Sequence, residues 1–197
     1  MGKKKHQARI EDLFNKSPVV SFNSIKNIIK NKKNIRQYTK QFIRNQISNK
    51  KIKRLAKGYY TKHDNIVLSV FCFKPAYFGL QDALSIQNLW EQETIPVIVT
   101  IRNVRPGIRK ILGLNVLIRR INKKYFFGFE YKEDGGFFFP VSDIEKTFID
   151  MVYFRQNIDK ESLIEFRKRM NKNKLKSYLK IYPKLIKKRV LNALEKR

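Results

Sequence analysis

Positive charge falls in blocks along this chain, and that distribution limits what it can fold into and bind more than any other feature. Residues 1–62 hold 18 Lys and Arg against 2 acids, residues 63–150 hold 11 against 10, and residues 151–197 hold 15 against 4. The net charge is +28, and no acid stands between Lys16 and Lys62. A coding bias toward Lys would raise cations everywhere and would not leave the centre near neutral. Two basic ends around a neutral middle therefore point to localised contact with a polyanion. The abrupt change near Lys62–Asp64 marks a domain boundary.

Composition removes several classes. Hydrophobic residues make up 42%, with 15 Phe and 9 Tyr, which is enough for a packed core. Cys72 is the single cysteine, so no disulfide can form within the chain. With His only at positions 6 and 63, a Cys/His zinc site is also excluded within one chain, and no metal or cofactor is expected. The longest apolar-leaning run, Ile66 to Phe73, is far short of a spanning helix, and the basic N-terminus is followed by no apolar segment. No membrane association is expected, and a reducing cytoplasm is the expected location.

Periodicity organises the first 62 residues into helices followed by a hairpin. Ile10, Leu13 and Phe14 are spaced as on one face of a short helix. Val19-Val20 is a brief β-branched pair. Ser21 or Asn23 can cap a second helix with Phe22, Ile25, Ile28 and Ile29 on one side. Asn31-Lys32-Lys33-Asn34 reads as a polar turn. A third helix starts near Asn34. Its apolar members are Ile35, Tyr38, Phe42, Ile43 and Ile47, while Arg36, Gln37, Lys40, Gln41 and Arg44 gather opposite. Ile52 and Leu55 alternate with Lys53 and Arg54, Lys57-Gly58 turns, and Tyr59-Tyr60-Thr61 returns as a second strand.

Beyond residue 62 the pattern is mixed. Ile66–Phe73 fits neither template. Leu80 to Leu89 looks helical, and Pro96–Ile101, Asn115–Ile121, Tyr125–Tyr131 and Phe137–Val141 read as strands. Ser142-Asp143-Ile144-Glu145 has the S-x-x-E form of a capping box, opening a helix with Ile144, Phe148 and Val152 inward. From Lys160 to Arg197 the spacing is helical, with Leu163, Phe166, Met170, Leu175, Tyr178, Leu179, Leu185, Ile186, Val190 and Leu194 as its apolar row. Phe126, Phe127, Phe129, Phe137, Phe138 and Phe139 are dense enough to imply a sheet covered on both faces, by helices or by a partner protein. The expected class is α+β. An N-terminal winged helix-turn-helix (1–62) precedes a mixed α/β domain with a small sheet (63–155) and a basic helical C-terminal extension (156–197).

Two short helices, a turn and a third helix with a basic outer face form a helix-turn-helix pattern, and the hairpin supplies a wing. Such a helix fits the major groove, where Arg can grip guanine O6 and N7 and Gln can pair with adenine N6 and N7. Arg36, Gln37, Lys40, Gln41 and Arg44 are the candidate base-reading residues. Lys53, Arg54 and Lys57 are candidate phosphate contacts, and Lys3, Lys4 and Lys5 a candidate flexible arm. The expectation is a sequence-specific binder of double-stranded DNA, acting as a dimeric repressor on a palindromic site. Tyr59 and Tyr60 fit half-buried strand packing better than base stacking.

Catalytic patterns are sparse. The chain has no P-loop, no G-x-G-x-x-G, no G-x-S-x-G and no D-x-D pair. Glu130-x-Lys132, with Asp82 upstream, has the residue types of a metal-dependent nuclease centre. E-x-K arises easily by chance among 30 Lys, however, so no enzyme is expected.

The ordered motifs have one further reading. The segment Ile52-Lys53-Arg54-Leu55-Ala56-Lys57-Gly58-Tyr59-Tyr60 resembles the wing of AbiE-type antitoxins, described as predicted transcriptional regulators of viral defence systems. Tyr77 to Leu84 resembles that family's helix with its "AL" pair. Pro96–Thr100 and Ser142-Asp143-Ile144-Glu145-Lys146-Thr147-Phe148-Ile149-Asp150 resemble its strand set and following helix. The resemblance spans most of residues 20–155. It implies a winged helix that represses its own operon, and an α/β domain that counters a co-encoded toxin of the nucleotidyltransferase type. Glu145, Thr147 and Asp150 match the family's E, T and D positions and read as structural. Ser142 departs from the family's frequent Pro, and the basic tail after residue 155 has no counterpart in the resemblance.

Overall fold

The computed structural model describes residues 2–30, 33–92 and 94–195. The chain divides into two compact units, one of residues 1–72 with 111–114 and one of 73–110 with 115–197. The break in sequence thus falls at Cys72/Phe73 where charge placed it near residue 62, and residues 156–197 belong to the second unit. Among the described residues, no helix is long and apolar enough to cross a membrane.

The first unit opens with helix α1 (Gly2–Lys16), longer than its short apolar signature, so Lys3, Lys4 and Lys5 lie within a helix and not on a free arm. Strand β1 (Val20–Ser21) leads into α2 (Phe22–Ile28), whose N-cap Ser21 accepts the backbone N–H of Ser24 at 3.0 Å. That cap is worth about 1 kcal/mol. Helix α3 (Ile35–Ser48) follows, then β2 (Lys53–Ala56) and β3 (Tyr59–Thr61). The expected Asn31–Asn34 turn lies partly outside the described residues. The three strands form an antiparallel sheet in the order β1-β3-β2. Ile10, Phe14, Val20, Ile25, Ile29, Ile43, Ile52 and Tyr60 make one core. Each of the larger aliphatic side chains there contributes about 1.5–3 kcal/mol. Ile66–Phe73, left unassigned by its sequence, is a 3-10 helix.

The second unit is a six-stranded mixed sheet with helices. Its strands are β4 (Ala76–Phe78), β5 (Val97–Thr100), β6 (Gly107–Ile111), β7 (Leu114–Arg120), β8 (Phe129–Asp134) and β9 (Phe137–Ser142), in the order β6-β7-β5-β4-β9-β8. Strands β4 and β9, and β5 and β7, run parallel, while β4–β5 and β8–β9 are antiparallel. Helix α4 (Leu80–Ile86) connects β4 to β5, and α5 (Ile144–Tyr153) follows β9. Helices α6 (Lys160–Arg169), α7 (Lys172–Leu179) and α8 (Lys184–Glu195) all pack against α5. That enclosure buries every residue of α5 from Glu145 to Met151, polar ones included.

Several local expectations change. Tyr125–Tyr131 is not one strand. Lys123–Tyr125 forms a 3-10 turn capped by Asn122, and β8 starts only at Phe129, because Gly128 at φ +68° turns the backbone out of the extended path. A Cβ on Gly128 would meet Tyr178 at 2.9 Å, so this left-handed position also lets the loop approach its neighbour. The cap of α5 is Asp143, which accepts the Lys146 N–H at 2.8 Å, and not Ser142. Ser142 ends β9, and its hydroxyl lies 2.7 Å from that of Thr147. Leu185, expected in the apolar row, is 59% exposed, while Val190 is fully buried. Strand β6 carries Arg109 and Lys110 and showed no strand periodicity.

Candidate nucleic-acid interface

Helix α3 begins at Asn34, which adopts φ 59°, and makes no side-chain cap. Its buried line is Thr39 and Ile43, one turn apart. Thr39 is not among the apolar residues that periodicity picks out, because it carries a hydroxyl. The hydroxyl is satisfied within the helix by donating to the Ile35 carbonyl at 2.7 Å, which lets it face the core. Ile35, Tyr38 and Phe42 flank this line half-buried, and Ile47 stands at 36% exposure.

With Thr39 and Ile43 inward, helical geometry turns Arg36, Gln37, Lys40, Gln41 and Arg44 outward, and all five are exposed. Together with Asn34 they line one shallow surface depression that contains no acid. Gln41 donates to Asn45 one turn on at 3.0 Å, which holds its amide along the helix. The sequence-derived set on α3 is therefore gathered on one accessible face.

The hairpin partly joins it. Arg36, Lys40 and Arg44 share a groove with Arg54 and Lys57, floored by Ile43, Ile47 and Tyr60. Gly58, at φ +82°, makes the hairpin turn, and its carbonyl accepts the Phe22 N–H at 2.7 Å, tying the turn to the start of α2. Burial raises the Tyr60 hydroxyl above its usual range, with Arg54 opposing, so it stays neutral on the groove floor. Lys53 stands apart from the other hairpin cations. It pairs with Asp64, so one of the eight candidate contacts already has a counter-ion.

The second unit holds a polar network that the sequence did not reveal. Lys146 and Asp150 on α5 form a fully buried ion pair. The Tyr77 hydroxyl donates to Asp150 at 2.7 Å, and Lys146 reaches the Tyr182 hydroxyl at 3.3 Å. The Lys146 ammonium also lies 5.4 Å from the centre of the Phe127 ring. Burial pushes Lys146 down and Asp150 up, and their mutual attraction works against both shifts. Glu145 accepts the Asn171 N–H at 2.7 Å and pairs with Lys174 at 3.1 Å, fastening α7 to α5. Lys174 also pairs with Asp143 at 3.1 Å. Burial alone would lower this ammonium, but Glu145 and Asp143 outweigh it and hold it above the usual range. Thr147 bonds Ser142 and Gln87. Glu145, Thr147 and Asp150 thus each hold α5 to a neighbour. The one available signal was Lys146 and Asp150 at i, i+4 in a helix whose Ile144, Phe148 and Val152 mark it as packed.

The residues of the nuclease alternative do not meet. Glu130 pairs with its own neighbour Lys132 at 2.9 Å on the edge strand β8. Asp82 accepts the Val97 N–H on β5 at 3.1 Å, with β4 and β9 between those two strands. Three strand spacings are about 14 Å, too far for two carboxylates to share one metal ion. Burial raises Asp82 to about 7, against the opposing bond from Val97. Among the described residues, no three His, Cys, Asp or Glu side chains cluster as metal ligands.

No family model and no curated protein matches the chain. Among solved structures it is similar to the RV2827C protein from Mycobacterium tuberculosis, with a TM-score of 0.58 and 11% identity over 92% of this chain and 72% of that one. At that identity the likeness concerns the fold alone.

Proposed function

We propose that the protein is a sequence-specific double-stranded DNA-binding regulator, a winged helix-turn-helix repressor that acts as a homodimer and catalyses no reaction. One observation carries this reading: Arg36, Gln37, Lys40, Gln41 and Arg44 are exposed together on an acid-free face of α3 that runs into a groove with Arg54 and Lys57. In this role α3 enters the major groove, where Arg36 and Gln37 in its first turn read base edges and Lys40, Gln41 and Arg44 follow. Arg54 and Lys57 hold the flanking phosphates from the hairpin. Autorepression makes the DNA upstream of its own reading frame the first target to test. Quantitative gel-shift titration there, against a scrambled duplex, should show selective binding. Arg36→Ala should cost about 1–3 kcal/mol and relax preference at one base pair. Arg54→Ala should weaken both duplexes alike, and Lys53→Ala should do so less, because its charge is already shared with Asp64. Equal binding of both duplexes by the wild type, unchanged in Arg36→Ala, would refute the assignment.

A second role, as antitoxin, is favoured by a specific surface of the second unit. Tyr131 and Phe138 are 65% and 63% exposed on the β8–β9 hairpin, where register places them on one face. An open aromatic pair of this kind suits a protein partner. The AbiE resemblance suggests that this partner is a co-encoded nucleotidyltransferase-type toxin. Co-expression with the neighbouring reading frame should rescue growth, and Tyr131→Ala with Phe138→Ala should abolish the rescue while leaving DNA binding intact.

A further inference from the structure

The C-terminal helices carry a second pattern that the α3 interface does not use. Between Glu165 and Glu195 the chain has eleven cations and no acid. Some of these are committed: Lys168 to Glu165, Lys174 to Asp143 and Glu145, and Arg169 to the Gln87 carbonyl. Lys172, Lys176, Lys180, Lys184 and Lys188 recur every four residues, all are exposed, and none makes an ion pair among the described residues. A four-residue step advances about 6 Å along a helix, so α7 carries Lys172 and Lys176 about one turn apart with Lys180 at its C-cap, and α8 carries Lys184 and Lys188 about one turn apart. Both rows are fixed from behind, because Leu175 and Leu179 on α7 and Val190 on α8 are buried in the core of the second unit.

We propose that these rows are a second nucleic-acid surface, on the second unit, that grips the phosphate backbone without reading sequence. Charge complementarity selects the partner. Duplex DNA offers one negative charge per about 1.7 Å of axis, so any placement of a lysine row meets phosphates. Lysine, a compact charge on a flexible stem, suits that contact better than base recognition. A lipid surface fits less well. A helix lying in a bilayer interface needs a free apolar stripe, and that of α8, with Ile186 and Val190, already packs in the core. Its exposed Leu185 and Leu191 are set apart by Lys184, Lys188 and Arg189 and form no stripe.

The test uses the full chain with all five lysines changed to Gln (K172Q, K176Q, K180Q, K184Q, K188Q) and a duplex of arbitrary sequence followed by fluorescence anisotropy across a salt series. The same substitutions are repeated in a background with Arg36, Lys40 and Arg44 changed to Ala, so failure of the α3 reading and failure of this one leave different signatures. The slope of log affinity against log salt should fall by about 0.9 for each lysine that engages a phosphate, and affinity near 0.15 M salt should drop by at least about tenfold. That loss should appear in both backgrounds. A wild-type circular dichroism spectrum and a cooperative melt with a midpoint no lower than that of the wild type show that the fold is kept, since these side chains are exposed and unpaired and their removal relieves repulsion. An unchanged slope and affinity overturn the proposal. So does a variant that keeps its DNA affinity but loses binding to phosphatidylserine vesicles, which would assign the rows to a membrane surface.

Discussion

Single residues on both units show how burial decides what a side chain can do. Thr39 serves the core because its hydroxyl is satisfied by its own helix, while Arg36, Gln37, Lys40, Gln41 and Arg44 face outward. Asp82 shows the opposite balance. It receives one backbone N–H, yet burial dominates and raises its carboxyl to about 7. In the unfolded chain the same group ionises near pH 4. Between those values the folded state holds the extra proton, so stability falls as pH rises from about 4 to about 7. Three pH units would give about 4 kcal/mol for a dehydrated group. Asp82 keeps part of its surface in water, which reduces this contribution to roughly 1–3 kcal/mol. Asp82→Asn keeps an acceptor for Val97 and should flatten that part of the profile, as measured by urea unfolding at pH 4.5 and 7.5. A variant with the same pH slope as wild type would show that Asp82 titrates normally.

Among the elements, α5 is the one on which the second unit is assembled. Helices α6, α7 and α8 pack on it, and its polar residues lie inside the unit with partners from several neighbours. Tyr77 on β4 bonds Asp150, the Asn171 N–H that opens α7 bonds Glu145, and Tyr178 donates to Asp143 at 2.7 Å. Burial and that bond push the Tyr178 hydroxyl up to about 12. Removing one member of a buried ion pair strands the other charge, whereas replacing the whole group by apolar residues does not. Asp150→Ala should therefore cost about 3–5 kcal/mol in chemical unfolding. The triple variant Lys146→Met, Asp150→Leu and Tyr77→Phe should lose less than about 2 kcal/mol. If the triple variant were as unstable as the single one, packing and not stranded charge would be the cause.

The whole molecule carries a net charge of +28, and only a few of its cations are neutralised by ion pairs among the described residues. Self-repulsion on that scale opposes compactness until counter-ions screen it. The thermal midpoint of the free protein should rise as monovalent salt increases from about 10 mM to about 500 mM, where the screening length shortens from about 30 Å to under 8 Å. A midpoint that fell with salt would mean that ion pairs outweigh repulsion. The same added salt should weaken DNA binding, so stability and affinity are expected to move in opposite directions along one titration.

Much of the first unit was legible in the amino-acid order because its signals are local. The i, i+3, i+4 spacing of Ile10, Leu13 and Phe14, the cap at Ser21 and the Lys57-Gly58 turn each act over a few residues. The outward grouping on α3 follows from helical geometry once Ile43 faces inward. The second unit was less legible because its determinants are remote in sequence. That Lys146 could be buried depended on Asp150, Tyr77 and Tyr182 converging on it, and that Glu145 would fasten α7 depended on where residue 171 arrives. Nor could periodicity set the strand order β6-β7-β5-β4-β9-β8, since pairing joins strands whose local patterns are alike. Charge blocks and periodicity by themselves determined where the cations lie and which faces are apolar. Only the tertiary structure decided which of those cations remain free and which are spent on partners, because an ionic contact depends on distance in space and not on distance along the chain.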